Sequence, residues 1–419
     1  MSKEIDSSEV IIIGGGIAGL TTAALFAQGG KTVTLFEHSS REIGGRARTA
    51  EIDGFYFNQG PHALYLTDST DSILKEIGIT YSGGIPTGKG YLINGGKKQE
   101  IGSDWGLTGK DGSQFFKSPT NMDFSQLESV TEQEWLDKNI HDINDSEVIK
   151  TIIRLNTYAN DPDIQSIGPV LHQIYVGSQA GVMYLDEGWQ TLIDGLLAVA
   201  KNSNAKIVMG EKAIKVKKTD SLGWRVLLSD KTEVSAKIVV IAAGPMDAYN
   251  LFDDNERPDV LIKAAKESKP IRLACLDVAL SSLPDKETTF ALGIDRPLYY
   301  SVHSNYARLA PKGGALIHVA KYLGTSIAPK PREDEPELEQ FLDLLQPGWR
   351  DVLVKKRPLP NMVVCNAIVT AAEGGLSGRP DTKIAENLYA VGDWVGKEGL
   401  VSNASVASAK HVTDLILKE

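Results

Sequence analysis

The sequence predicts an α/β protein: a doubly wound, Rossmann-like nucleotide-binding domain, discontinuous in the chain, beside a second domain of mixed α/β build. Three observations carry this. Val10 to Ile13 is a short, wholly apolar, β-branched run, the composition of a strand buried on both faces of a parallel sheet. Gly14, Gly16 and Gly19 follow it directly in GxGxxG spacing and lead into the helix-forming stretch Leu20 to Gln28, which Gly29 and Gly30 stop. A second apolar run, Thr32 to Phe36, ends on Glu37. Strand, glycine turn, helix, strand and acid stand in the order of a dinucleotide-binding unit.

Each part has a physical task. The first glycine permits the tight turn, the second lets backbone approach a pyrophosphate, and the third lets helix and strand pack closely. The helix start at Ile17 and Ala18 offers unpaired N–H groups and a positive dipole end. Glu37, with His38 beside it, is placed to accept hydrogen bonds from an adenosine ribose and would repel a 2′-phosphate. Arg41 and then Gly44-Gly45-Arg46 follow closely; two glycines expose amides and an arginine neutralises phosphate. Far along the chain, Asn387 to Val391 reads as another buried strand that stops at Gly392-Asp393, a pair that by itself is equally an ordinary turn. From about Ser402, the small residues Asn403 to Ala409 begin a helix to the C-terminus. A helix start of that kind lies close to a flat ligand, and its positive end stabilises negative charge on a reduced ring.

Between these ends, Ala205 to Val216, Trp224 to Leu228 and Glu233 to Ala242 read as three strands, joined by turns at 220–223 and 229–231 and running into Ala243-Gly244-Pro245. If strands near 10, 240 and 390 share one sheet, the nucleotide-binding domain comprises 1–68, 188–262 and 361–419, and the substrate domain 69–187 and 263–360. Ala328 to Pro336 reads as a surface connection or a helix lead-in. There is no internal repeat, and no second GxGxxG after a strand to serve a separate NAD(P)H domain.

Composition narrows the partners. The 419 residues are enough for two or three domains. With 44 Lys and Arg against 54 Asp and Glu, the net charge is −10, and no basic block is present; nucleic acid and anionic membrane surfaces are poor partners. Cys275 and Cys365 stand far apart with no CxxC, so neither a disulfide framework nor a zinc site is expected and no metal is required. The polar, acidic stretch before Val10 is unlike a secretory leader or a membrane span, and a cytoplasmic protein is expected. Glycine is the one excess, 40 residues against a usual share of roughly 7%.

GGGIAGL with Glu37, GGRAR at 44–48, Gly60-Pro61-His62 and NLYAVGDW at 387–394 together resemble the flavin-containing amine oxidase superfamily, and within it the branch of phytoene desaturases and protoporphyrinogen oxidases. Looser likeness at 129–137, 157–163 and 188–197 extends this over nearly the whole chain. The resemblance implies one FAD, held without a covalent bond because neither cysteine sits in an attachment motif. It implies that Gly14, Gly16 and the amides around Ile17, Ala18 and Gly19 hold the pyrophosphate, that Glu37 and His38 stand at the ribose, and that Arg46 with Gly44-Gly45 closes over the phosphates and ribityl chain. Gly60, Pro61 and His62 would run beside the isoalloxazine, Gly392 and Asp393 would meet the ribityl region, and amides near Val401 and Ser402 would face the ring's pyrimidine edge. Ala213 would touch adenine, and the turn at Gly244 would approach the cofactor.

Flavin supplies redox chemistry, so the protein need only orient, polarise and exclude. His62, beside the expected ring, is either a donor to flavin or substrate or a structural histidine; the other histidines are scattered and form no ligand pattern. Lys321 shares a strand face with Ala315, Ile317, Val319 and Leu323, and is either the lysine that holds a water at the flavin, as in some amine oxidases, or a strand-end lysine. Trp105, Trp189 and Trp394 adjoin glycines and are candidates for a pocket wall as well as for core. Amine oxidases proper set two aromatic side chains before the flavin; Val401 stands where one of them is expected, which argues against an amine. The expected function is removal of a hydride from a C–C or C–N bond of a largely apolar small molecule, with electrons passing to dioxygen or another acceptor. Its rivals are a non-redox flavin-dependent isomerase or mutase and a flavin-free binding protein of the Rab GDP-dissociation inhibitor type.

Overall fold

Val10–Ile13 is buried along its length, as its apolarity requires, and lies parallel to Val33–Glu37 on one side and Ile238–Ile241 on the other. In the computed structural model, which describes residues 8–66, 69–87, 89–107, 115, 123–219 and 223–418, these strands belong to one six-stranded sheet. Its order is Lys206–Met209, Val33–Glu37, Val10–Ile13, Ile238–Ile241, Leu388–Ala390, Lys383–Ala385, parallel except for the last. Strands near 10, 240 and 390 are thus neighbours. Residues before Ser8 and most of the turn expected at 220–223 lie outside the described residues.

Side chains alternate to the two faces of this sheet. Val10, Ile12, Leu35 and Val240 meet helix Ile17–Gln28, with Gln190–Asn202 and Val401–Leu417 against it, in one core. Helix Ile17–Gln28 is buried from Ala18 to Ala27, which explains why it lacks a polar stripe. Ile11, Ile13, Val239 and Ile241 face the antiparallel sheet Ala213–Lys218, Trp224–Leu228, Glu233–Ala236.

The three strands expected from 205 to 242 are in fact five. Gly210, at φ +83° with its amide on the Ser39 carbonyl, breaks the first: Lys206–Met209 joins the parallel sheet, while Ala213–Lys218 pairs antiparallel with Trp224–Leu228. The last divides at Lys237 into Glu233–Ala236, antiparallel, and Ile238–Ile241, parallel. A run of β-formers carries no mark of which sheet it will join.

A seven-stranded sheet forms the other half, in the order Leu353–Cys365, Ile271–Leu280, Ala315–Leu323, Leu298–Val302, Phe290–Gly293, Gly90–Asn94, Lys97–Glu100. Helix Pro331–Leu345 packs on one face through Leu338, Phe341, Leu342 and Leu345. It grows out of the proline-rich stretch at 328–336, with Pro331 in its first turn, where a missing N–H costs nothing. Helices Ile143–Thr157 and Ile167–Ala180 pack against the opposite face. A cavity lies on that second side.

Candidate active site

The glycine turn is built by contact. Gly14 takes φ +109°, and a Cβ on Gly19 would stand 2.0 Å from the Gly14 carbonyl oxygen. Only glycine lets the helix lie this near the strand end. Gly16 differs: at φ −75° a Cβ there would meet nothing within 4 Å. Gly16 precedes helix Ile17–Gln28 without a side-chain cap, so the open side of the turn faces first-turn amides and a positive dipole end. The Glu37 carboxylate accepts from the Gly15 amide at 2.7 Å and the Ser39 amide at 2.9 Å, with His38 Nδ1 at 2.8 Å. It therefore fixes the turn as well as standing beside it. The Gly44 amide donates to the Gly15 carbonyl at 2.8 Å, which brings the second glycine pair alongside Gly16.

From that second loop Arg46 reaches the other end of the chain. Its guanidinium lies 2.7 Å from Asp393 and donates to the Val364 carbonyl at 2.8 Å. Asp393 follows Gly392, whose φ of +146° turns the chain out of strand Leu388–Ala390, and accepts from the Asn366 amide and side chain at 3.2 and 2.8 Å. Burial alone would push this carboxyl up; Arg46 and Asn366 hold it below the usual carboxylate range. Gly244 packs against Asn366, one residue removed from Asp393. Helix Val401–Leu417 begins at Leu400 without a side-chain cap, and Val401 sits at φ +52°, a strained setting for a β-branched residue.

A cavity of about 500 Å³ joins the two halves. Ile17, Arg46, Pro61, His62, Asp393, Val401 and Ser402 supply one wall; Tyr65, Tyr158, Tyr184, Phe290, Tyr299 and Tyr306 supply the other. Gly60, at φ +75°, lets Pro61 and His62 into the wall, and Met362 fills the space a Cβ would need. An open glycine, an uncapped helix start, the Glu37 carboxylate and a cleft under a second uncapped helix fit a dinucleotide with a flat ring. Ala213 lies outside the wall, at the head of its strand.

Comparison with known proteins agrees. The NAD(P)-binding Rossmann-like domain family matches residues 12–76. A carotenoid 3,4-desaturase of Haloarcula japonica is 38% identical over 66 residues, 16% of this chain and 13% of that protein, so the likeness spans only a small part of the curated relative. Solved structures match throughout. An oxidoreductase from Methanosarcina mazei has a TM-score of 0.76 at 19% identity, covering 97% of this chain and 99% of that one. Cyclohexylamine oxidase from Brevibacterium oxydans has a TM-score of 0.72 at 15% identity over 99% of each. The chain has the fold of amine oxidases. Its N-terminal stretch is similar in sequence to that of the carotenoid desaturase. Among the described residues no helix is long and apolar enough to cross a membrane.

Against the lysine of some amine oxidases, Lys321 is corrected. It does share a face with Ile317 and Val319, but helix Pro331–Leu345 covers that face: Nζ lies 2.8 Å from Asp334 and 2.7 Å from Glu337, and no part of Lys321 lines the cavity. It is the strand-end lysine. Trp105 and Trp189 do line the cavity, whereas Trp394 is core, its indole N–H on the Ala243 carbonyl.

Two of the histidines expected to be scattered, His303 and His318, converge on His62. His62 lies 3.1 Å from both the Gly60 and the Arg46 carbonyls and packs on Trp189. His303 and His318 meet edge to face at 4.5 Å, and both lie near enough to His62 to feel its charge. Behind them Asp277, fully buried, binds His318 Nδ1 at 2.6 Å and Arg357 at 2.5 Å. Cys275, Asp277 and His318 stand close enough to gather a cation. Arg357 already balances the carboxylate, and burial pushes the Cys275 thiol up, so the cluster does not fit a metal. Strand parity was the missed signal: His318 lies opposite Lys321 in the alternation.

His62 opens to the cavity rather than to bulk water, and burial pushes it down to about 4 against its two carbonyl hydrogen bonds. Between its ordinary 6.5 and about 4 the unfolded chain therefore binds more protons than the native one, so lowering pH through that window costs stability. In ¹⁵N-histidine spectra the His62 ring should stay neutral to about pH 4, and His62→Asn should flatten the stability profile between pH 6.5 and 4.

Proposed function

We propose that this protein is an FAD-dependent oxidoreductase that takes a hydride from a C–C or C–N bond of a largely apolar small molecule and passes the electrons to dioxygen or another acceptor. The observation that carries the reading is a cavity walled on one side by the nucleotide-binding elements and on the other by aromatic side chains, Phe290 and Tyr299 from the seven-stranded sheet and Tyr65, Tyr158, Tyr184 and Tyr306 from around it. Residues 1–68, 188–262 and 361–419 form the FAD domain in this reading, and 69–187 with 263–360 the substrate domain.

The turn Gly14 to Gly19 holds the pyrophosphate and Glu37 the ribose, while Gly44-Gly45-Arg46 and Asp393 take the ribityl region and Val401 and Ser402 the pyrimidine edge. Bound there, FAD supplies the two-electron acceptor. The chain supplies the rest. The aromatic wall excludes water and orients an apolar substrate, and His62, held neutral between the Gly60 and Arg46 carbonyls, adds no charge to the wall. Among the described residues, no charged group lines the cavity apart from the Arg46–Asp393 pair.

The purified protein should be yellow, with about one FAD per chain, all of it released by acid. NADH and NADPH should reduce it slowly or not at all. Colourless protein that takes up no FAD would overturn the reading; rapid bleaching by a nicotinamide under anaerobic conditions would overturn the choice of electron source.

A further inference from the structure

One patch of the cavity wall is polar. In strand Leu298–Val302, Leu298, Tyr300 and Val302 pack under helix Pro331–Leu345, which turns Tyr299 and Ser301 to the cavity. Tyr184 comes in from strand Val182–Leu185; its hydroxyl lies 3.4 Å from Ser301 Oγ and its ring stacks on His303 at 3.7 Å. The Tyr299 hydroxyl lies 3.1 Å from His303 Nε2. Three hydroxyls and an imidazole therefore meet at one corner, and all four residues line the cavity.

That corner is not self-satisfied. His303 is 1% exposed, and its Nδ1 is buried with no partner among the described residues. Stacking on Tyr184 and the edge contact with His318 fix the ring, so it cannot turn away to find one. A buried polar atom left unpaired is costly, and it marks this corner as short of a hydrogen-bond partner. Charge selects the group. Among the described residues Asp393 is the one carboxylate lining the cavity, and Arg46 and Asn366 already hold it; Asp277 lies behind the wall, paired with Arg357 and His318. Burial, with His318 and His62 alongside, keeps His303 uncharged at neutral pH. An ammonium or a carboxylate brought here would lie in a poorly solvated site with no counter-ion among the described residues.

We propose that Tyr184, Tyr299, Ser301 and His303 form a recognition site for an un-ionised oxygen function, a hydroxyl or carbonyl, carried by an otherwise apolar substrate. Hydroxyls both donate and accept, and the neutral imidazole adds one further partner, so such a group pairs fully without bringing charge. This deepens the proposed function and rests on its reading of the cavity as the substrate site.

Three probes of one shape test it at pH 7: 4-ethylphenol, ethylbenzene and 4-ethylbenzylamine, the last a cation. Binding is followed by calorimetry and by tryptophan fluorescence, Trp105 and Trp189 lining the cavity, in the wild type, Ser301→Ala and Tyr299→Phe. The phenol should bind about tenfold more tightly than ethylbenzene, and the amine most weakly. Each variant should bring the phenol toward ethylbenzene while leaving ethylbenzene unchanged. Equal affinity of phenol and hydrocarbon in the wild type, tightest binding by the amine, or a phenol preference undiminished in both variants would overturn the inference. FAD content, measured separately by acid release, distinguishes the two failures: colourless protein that still prefers the phenol sinks the flavin reading alone, and FAD-loaded protein that prefers the amine sinks the polar corner alone.

Discussion

Gly19→Ala is expected to disrupt the nucleotide end of the chain, whereas Gly16→Ala should fold as the wild type does and lose FAD. The two glycines belong to one motif but face different things. A methyl on Gly19 would lie 2.0 Å from the Gly14 carbonyl oxygen, and Gly14 cannot withdraw: its amide is bonded to Phe36 at 2.8 Å and the Ala242 carbonyl stands against it. Relief requires lifting helix Ile17–Gln28 off the sheet, with its almost complete burial. Overpacking against backbone of this kind costs about 3 kcal/mol or more. Thermal denaturation of the apoprotein should show a clearly lowered Tm. Gly16, at an ordinary φ with open space before it, should change stability by less than about 0.5 kcal/mol. Its methyl would occupy the ground a pyrophosphate needs, and FAD should bind at least tenfold more weakly, a loss of about 1.4 kcal/mol. Undiminished FAD affinity in Gly16→Ala would show that the phosphates do not lie on the open side of the turn.

Arg357→Met should cost about 3–5 kcal/mol, the range found when one partner of a buried ion pair is removed. Asp277 is fully buried, and Arg357 bridges it to the Asn58 carbonyl while lying over the Phe57 ring. Methionine keeps the stem and deletes the charge, leaving His318 as the carboxylate's main partner. Adding Asp277→Asn removes the stranded charge, so the double variant should be more stable than Arg357→Met alone; urea denaturation of the four proteins gives the coupling. Burial would raise the Asp277 carboxyl, but His318 and Arg357 hold it below its ordinary value. The stabilisation is therefore present above the unfolded value of roughly 3.9 and is lost as pH falls below it. The gap between wild type and Arg357→Met should narrow below about pH 4. Additive effects at pH 7 would show that the pair is not coupled.

What the sequence revealed depended on whether a signal was local. Val10–Ile13 and Ala315–Leu323 stand where their composition placed them, because a short β-branched run between turn residues has few other uses. The turns at Gly14 and Gly392 were legible because backbone geometry, φ +109° and +146°, dictates the residue. Gly210 was not recognised as a break, because a lone glycine in a β-rich run also suits a bulge. The face of Lys321 followed correctly from alternation, yet alternation does not say which face a helix will cover; Asp334 and Glu337 decided that from a later segment. The polar corner was illegible because its members come from strands Val182–Leu185 and Leu298–Val302 and a single helical turn at His303–Asn305. Only the alternation of Tyr299 and Ser301 with Leu298, Tyr300 and Val302 hinted at a two-natured strand.

The order of strands in the six-stranded sheet also governs how the chain must be born. Val10–Ile13 pairs with Ile238–Ile241, which pairs with Leu388–Ala390, and helix Ile17–Gln28 is covered by Val401–Leu417. The first strand and helix leave the ribosome apolar on every side, and translation at roughly 5–20 residues per second keeps them waiting tens of seconds for these partners. Closure over such sequence separations is slow even in the finished chain. The nascent protein therefore passes a long interval with its most apolar segments uncovered, and Arg46 and Asp393 first meet after almost everything between them has been made.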